Sequence, residues 1–291
     1  MSPLAILLIL AATLSHASWN FLTKRSRDRL AFLWWTGVAG TVLYLPAVLW
    51  VAPPWTLAAG DWAGVVGGAA LRAVYFAALG TAYSRGDLSL VYPLARGTAP
   101  LLVPPLAVLI LGERPSPVGW AGIATIGLGI YVLHLPGFGG ASLLAPLGAL
   151  RSARAGYAVL TGCLTTAYSL VDAWNIRRGI PPLLYAYLTI PVAALLLTPV
   201  VWRRPAARDA GRRSGGRAIV TVGILMTGGY LLILLALRLA PVSYVAPARE
   251  LSIVIGTLLG VVVLREPEPV PRLTGSALIV VGVLLLALAG H

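Results

Sequence analysis

A few ionisable side chains interrupt otherwise apolar stretches of this chain, and their placement limits the chemistry open to it. Arg72 lies midway along one apolar run, Arg96 and Arg249 lie about two turns into two others, Glu250 follows Arg249 directly, and His16 lies inside the first run. A charge at the centre of a bilayer costs about 3 kcal/mol on insertion scales, so each of these groups needs a compensating partner or a watery surface. A guanidinium offers a planar fork of donors that fits a carboxylate or a phosphate. Arg72 therefore reads either as an anchor for an anionic ligand or as a tie to helix carbonyls or to Glu250. Arg96 and Arg249 follow Pro93 and Pro247. A proline inside a helix deletes one backbone hydrogen bond, so each arginine stands beside a segment able to bend, as a gate requires. Arg96, nearer a run end, also fits a snorkelling role at the interface.

Arg249 and Glu250 are neighbours in sequence and point about 100° apart on a helix, so they do not simply neutralise each other. Glu250 is the first candidate for proton coupling, against the alternative of a permanent salt bridge to Arg72 or Arg249. His16 is the second, because imidazole titrates near physiological pH, against a plain packing role. The dyad Trp19-Asn20 recurs as Trp174-Asn175. The indoles offer apolar area with one donor each and the amides offer hydrogen bonds, so both pairs are candidates for substrate contact; near run ends they also suit the interfacial aromatic belt. Tyr75 and Tyr230 fall in corresponding runs and are assigned to the same cavity.

The elements that must position these groups are hydrophobic helices. With 58% apolar residues, 11% charged residues and a mean hydropathy of +0.88, the chain would expose large apolar patches in water. The net charge of +13 comes mostly from short connections, as suits anionic headgroups rather than nucleic acid. A hydrocarbon core of about 30 Å takes roughly 20 helical residues. Ten such runs are read at about 3–22, 32–52, 62–83, 88–111, 117–134, 154–176, 182–202, 218–237, 242–263 and 271–289. The first is retained as a span, since it lacks the basic start of a secretory signal. Residues 135–153 join the halves, and 203–217 form a basic loop.

The halves repeat. Arg96, Glu113, Gly122 and Gly129 recur as Arg249, Glu266, Gly275 and Gly282 at one constant offset. Five spans per half make the second half enter from the opposite side, so the repeats, 1–150 and 151–291, are inverted. The predicted fold is an all-α integral membrane protein of ten transmembrane helices in two inverted five-helix repeats, with a substrate site between them near the bilayer midplane. Gly64, Gly67 and Gly68, and the series Gly119, Gly122, Gly127 and Gly129, are read as close-packing positions.

The Gly112-Glu113-Arg114-Pro115 turn after the fourth span, the Arg265-Glu266-Pro267 echo after the ninth, and Pro247-Ala248-Arg249-Glu250 resemble the ten-helix, EamA-type branch of the drug/metabolite transporter superfamily. The resemblance covers essentially the whole chain. It implies a secondary carrier with a central cavity, and members of the family export amino acids, other metabolites and drugs. It also implies dimer contacts through the fifth and tenth helices, leaving monomer and homodimer both open.

No zinc-protease, phosphate-loop or nucleophile-elbow motif occurs, and His16, His134 and His291 are poorly placed for a shared metal; no cofactor and no enzymatic activity are expected. Cys163 stands alone, which precludes an intrachain disulfide. The expected function is gradient-driven transport, as an exporter, of small metabolites such as amino acids or other carboxylate-bearing solutes, coupled to protons or a counter-substrate, in the plasma membrane (the inner membrane of a bacterium). A lipid-linked sugar flippase or a broad-specificity drug exporter would use the same fold, and a non-transporting scaffold or receptor would act through the loop at 203–217. The loop charges place both termini outside the cytoplasm. The family resemblance implies both inside.

Overall fold

A computed structural model of the chain describes residues 1–24, 26, 28–85, 88–139, 142–143, 155–203, 209, 213, 215–258 and 269–289, with the backbone alone at 24, 80–85, 88–96, 155 and 157. The connection at 144–153, most of the basic loop at 203–217, Arg265, Glu266 and His291 lie outside the described residues, as does the side chain of Arg96.

The helices are α1 (Pro3–Lys24), α2 (Arg29–Val51), α3 (Ala59–Arg85), α4 (Leu88–Leu111), α5 (Pro117–Leu133), α6 (Ala155–Arg177), α7 (Pro182–Trp202), α8 (Gly216–Leu237), α9 (Val242–Ala248), α10 (Leu251–Leu258) and α11 (Pro269–Leu288). No strand occurs among the described residues. On length and composition alone α1, α2, α3, α7, α8 and α11 are able to cross a bilayer. Local chemistry sets several boundaries. Asp28 caps α2 by accepting from the Ala31 amide, and Ser116 caps α5 by accepting from Gly119, with Pro117 in the first turn, where its missing N–H costs nothing. Gly112 and Gly179 turn the chain at positive φ after α4 and α6.

The ninth span, read at 242–263 with a segment able to bend beside Pro247, is broken there. Pro247 has no amide hydrogen, and the Glu250 amide bonds back three residues to the Pro247 carbonyl rather than four. The helix therefore ends at Ala248 and resumes as α10 at Leu251, with Arg249 and Glu250 in the break. The equivalent backbone of α4 runs unbroken through Pro93 and Arg96.

Ten spans follow, with α9 and α10 forming one of them, and their packing reveals a half-turn between the repeats. α1 packs on α8 as α6 packs on α3; α2 packs on α8 as α7 packs on α3; α4 packs on α5 as α10 packs on α11. α4 packs on α6 as α10 packs on α1, and α2 with α7, α4 with α9 and α5 with α11 are equivalent helices meeting on the axis. Most of these contacts cross between halves, so the repeats interleave. In α5 and α11 the glycines carry the symmetry residue by residue. A Cβ at Gly122 would stand 2.8 Å from the Gly282 carbonyl oxygen, and one at Gly129 2.8 Å from that of Gly275. Since Gly122 corresponds to Gly275 and Gly129 to Gly282, this crossed pairing is the one a two-fold axis produces. The amino group of Met1 donates to the Ala287 carbonyl at 2.7 Å, placing both chain ends on one side, here called the terminal face. The side on which α1 ends is the distal face.

Candidate functional site

A cavity reaches inward from the distal half of the bundle. His16, Trp19 and Asn20 of α1, Arg29 of α2, Tyr75 of α3 and Tyr168 of α6 contribute to its wall, and Arg249 and Glu250 approach it from the break in the ninth span. A smaller chamber shares His16, Trp19, Arg249 and Glu250 and extends to Gly229 of α8. The main cavity gives about 80 Å³ to the centres of water molecules. That is room for several, at roughly 10–15 Å³ each. Its chemistry is mixed: the aromatic faces of Trp19, Tyr75 and Tyr168, the cations Arg29 and Arg249, the acid Glu250, and the imidazole of His16 edge-on to Trp19 at 4.9 Å. The spans surrounding the two chambers are the first, second, third, fourth, sixth, eighth and ninth.

Beneath the cavity, toward the terminal face, the bundle closes in layers. Tyr75 and Tyr168 meet edge-to-face at 5.4 Å and form the floor. Under them the Arg72 guanidinium lies 4.6 Å from the Tyr168 ring centre and 3.9 Å from that of Tyr230. Arg72 donates to Asp172 at 2.9 Å. The other oxygen of Asp172 accepts from the hydroxyls of Tyr185 at 2.9 Å and Tyr230 at 3.0 Å. One carboxylate thus holds α3, α6, α7 and α8 together, and every donor it takes is a charge-assisted or hydroxyl partner suited to an anion out of water.

One turn further along α6, the fully buried Asn175 amide donates to the Tyr185 hydroxyl at 3.2 Å and to the Val171 and Gly64 carbonyls at 2.9 and 3.3 Å. Gly64 is required there, because a Cβ would stand 2.0 Å from Asn175 Oδ1.

The last layer is Glu113, in the turn after α4. Its carboxylate accepts the Val242 and Ser243 amides at the start of α9, at 3.0 and 2.9 Å, and pairs with Arg177 at the end of α6. An anion at a helix N-terminus satisfies amides that have no partner inside the helix and meets the favourable end of the helix dipole. Arg177 also donates to the Leu111 carbonyl, and the Tyr244 hydroxyl accepts from the Ser116 amide. α4, α5, α6 and α9 are fastened together at this face.

The structure thus gathers His16, Trp19, Asn20, Tyr75, Arg249 and Glu250 around one cavity and separates Arg72, Trp174, Asn175 and Tyr230 from it. Arg72 and Tyr230 lie in the buried ionic layer; Asn175 is a structural tie in the closed half; Trp174 faces outward, 44% exposed, into a groove between α4 and α6. Sequence reasoning gave no site role to Asp172, an acid close to a span end, or to Tyr185, and missed the capping role of Glu113. Asp172 carried a usable signal, as an acid inside the sixth span that needs a cationic partner at that depth. Tyr185 carried none.

The sequence profile of the EamA-like transporter family matches residues 3–135 and again 154–288. Twenty-eight chains of solved structures match the fold. One, described only as the crystal structure of a protein, superimposes with a TM-score of 0.68 at 20% identity, over 98% of this chain and 97% of that one. No functionally curated protein matches the chain. With both repeats matched over nearly their whole length, and a ten-span bundle with a half-turn axis to accommodate them, the chain is a multi-pass membrane protein that belongs to the EamA-like transporter family, of the drug/metabolite transporter type.

Proposed function

We propose that the protein is a gradient-driven exporter of small carboxylate-bearing metabolites, amino acids foremost, working by alternating access between units 1–150 and 151–291 in the plasma membrane, the inner membrane of a bacterium. The observation that carries this reading is the pairing of a mixed-charge cavity at the break of the ninth span with a layered seal on its terminal side. An interrupted helix brings backbone and side-chain polar groups to mid-membrane depth, where a solute that leaves water needs them. Arg249 suits a carboxylate, Glu250 an ammonium group, and the aromatic walls an apolar side chain. Glu250, with His16 one wall away, is the proposed proton-coupling group.

Arg72 is assigned a second role: held by Asp172 under the floor, it meets cargo only after the Tyr75–Tyr168 contact opens. A flippase reading gains nothing from the outward groove, whose wall is apolar and contains none of the cavity's charged groups.

The test is counterflow of radiolabelled amino acids in proteoliposomes with an imposed pH gradient. Wild-type protein exchanges cargo, Arg249→Ala loses at least ten-fold in apparent affinity, and Glu250→Gln uncouples flux from the pH gradient. Undiminished, still proton-driven flux in both variants would reject the reading. Deleting the basic loop at 203–217 leaves flux intact if the protein is a carrier rather than a scaffold.

A further inference from the structure

The groove between α4 and α6 has a definite shape and a definite chemistry. The two helices run in the same direction and touch at Thr98 and Gly162, where a Cβ on the glycine would stand 2.4 Å from that of Thr98. Toward the terminal face they enclose a trough of about 550 Å³ lined by Leu102, Leu106 and Ile110 on one side and by Cys163, Leu170 and Trp174 on the other. Thr166 is its one hydroxyl, and that is spent on the Gly162 carbonyl at 2.9 Å. Apart from the Cys163 thiol and the Trp174 indole N–H, the wall is aliphatic and suits hydrocarbon.

The end of the trough is different. Trp174 lies in the last turn of α6, where a span end suits an interfacial aromatic, and the Arg178 guanidinium stacks over its ring at 4.6 Å from the centre. Arg178 is 43% exposed and meets Asp61 only at 3.6 Å; Arg177, 40% exposed, adjoins it. Cationic forks at headgroup level above an apolar trough are complementary to a phosphate joined to an acyl chain.

We propose that this groove is a binding site for one anionic glycerophospholipid, with an acyl chain along Leu102, Leu106, Ile110 and Leu170 and the phosphate at Arg178. The site abuts Arg177, and through it the Glu113 seal, so an occupied groove braces the closed terminal face.

The native Cys163 reports on the trough. Purified protein in detergent is titrated with dioleoylphosphatidylglycerol or dioleoylphosphatidylcholine, with binding counted by native mass spectrometry and the rate of Cys163 modification by methyl methanethiosulfonate followed in parallel. The expected result is at least five-fold tighter binding of the anionic lipid, with a matching slowing at Cys163. Arg178→Ala abolishes the preference between headgroups and Arg178→Lys restores most of it, while Leu106→Trp, which fills the trough, reduces binding of both lipids. Equal binding of the two lipids by the wild type, a preference that survives Arg178→Ala, or a Cys163 rate that follows protein rather than lipid concentration, the mark of a second copy in the groove, would each overturn the proposal.

Discussion

The dyad Trp19-Asn20 and its counterpart Trp174-Asn175 are the same two residues in equivalent helices, and they live in opposite surroundings. Trp19 and Asn20 border the cavity, and the Asn20 amide donates to the His16 carbonyl of its own helix. Asn175 is wholly buried and ties α6 to α3 and α7. Tyr75 and Tyr230 divide the same way, one in the cavity wall and the other locked onto Asp172. An exact half-turn would give twins equal environments. Among the described residues the terminal half is packed shut while the distal half holds the cavity, an asymmetry that suits one state of an alternating carrier.

The strongest way to break this comparison is to remove the carboxylate at the centre of the closed half. Asp172→Ala leaves Arg72 buried without its partner and two tyrosine hydroxyls without an acceptor. Breaking such a pair from one side costs about 3–5 kcal/mol, so thermal unfolding in detergent should show a large loss, and Asp172→Asn a smaller one. An unchanged transition would mean that the layer does not hold the closed half together.

Next in size is the axis itself. At Gly275 a Cβ would stand 2.5 Å from the Leu133 amide nitrogen and 2.6 Å from the Gly129 carbonyl oxygen. Those are backbone atoms, which cannot rotate aside. Gly275→Val should cost about 1–3 kcal/mol as overpacking, and the equivalent Gly122→Val, facing the Gly282 carbonyl at 2.8 Å, should cost a similar amount. Markedly unequal losses would argue against the two-fold relation of α5 and α11.

The smallest effect sharpens the comparison most. Asn175→Ala should destabilise by about 1 kcal/mol, the net worth of a lost buried hydrogen bond, with little change in cargo affinity. Asn20→Ala should do the reverse, leaving the thermal transition within a few tenths of a kcal/mol while raising the apparent KM for transport. Identical profiles for the two would erase the distinction between the hollow and the packed end.

Much of this architecture was legible in the sequence because a bilayer is a demanding solvent. Ten apolar runs and a repeated set of Arg, Glu and Gly positions left few alternatives to ten spans in inverted halves, and prolines marked the places where helices start or weaken. The cavity lining from the first and ninth spans was legible for the same reason, since His16, Arg249 and Glu250 are too costly to face lipid. What the sequence did not reveal is which twin is engaged. Arg72 was free on paper to meet cargo, a carbonyl or Glu250, and only the packing of α3 against α6 brings Asp172 to it. Pro93 and Pro247 read alike, yet α4 stays whole where the ninth span breaks. Glu113 read as a repeat marker, and its capping of α9 depends on a contact 129 residues away along the chain.

In the proposed carrier, cargo reaches the cavity from the distal face while the layers ending at Glu113 seal the terminal face. Thr165→Cys places a reporter in the cavity wall, in a Cys163→Ser background, and its labelling by a membrane-impermeant thiol reagent is measured from each side of oriented proteoliposomes. Labelling is expected from the distal side alone, with labelling from the terminal side appearing when Glu113→Ala and Asp172→Ala together remove the outer and the ionic layers. Equal labelling from both sides in the otherwise native protein, or none from the terminal side in the double variant, would show that these layers are not the seal.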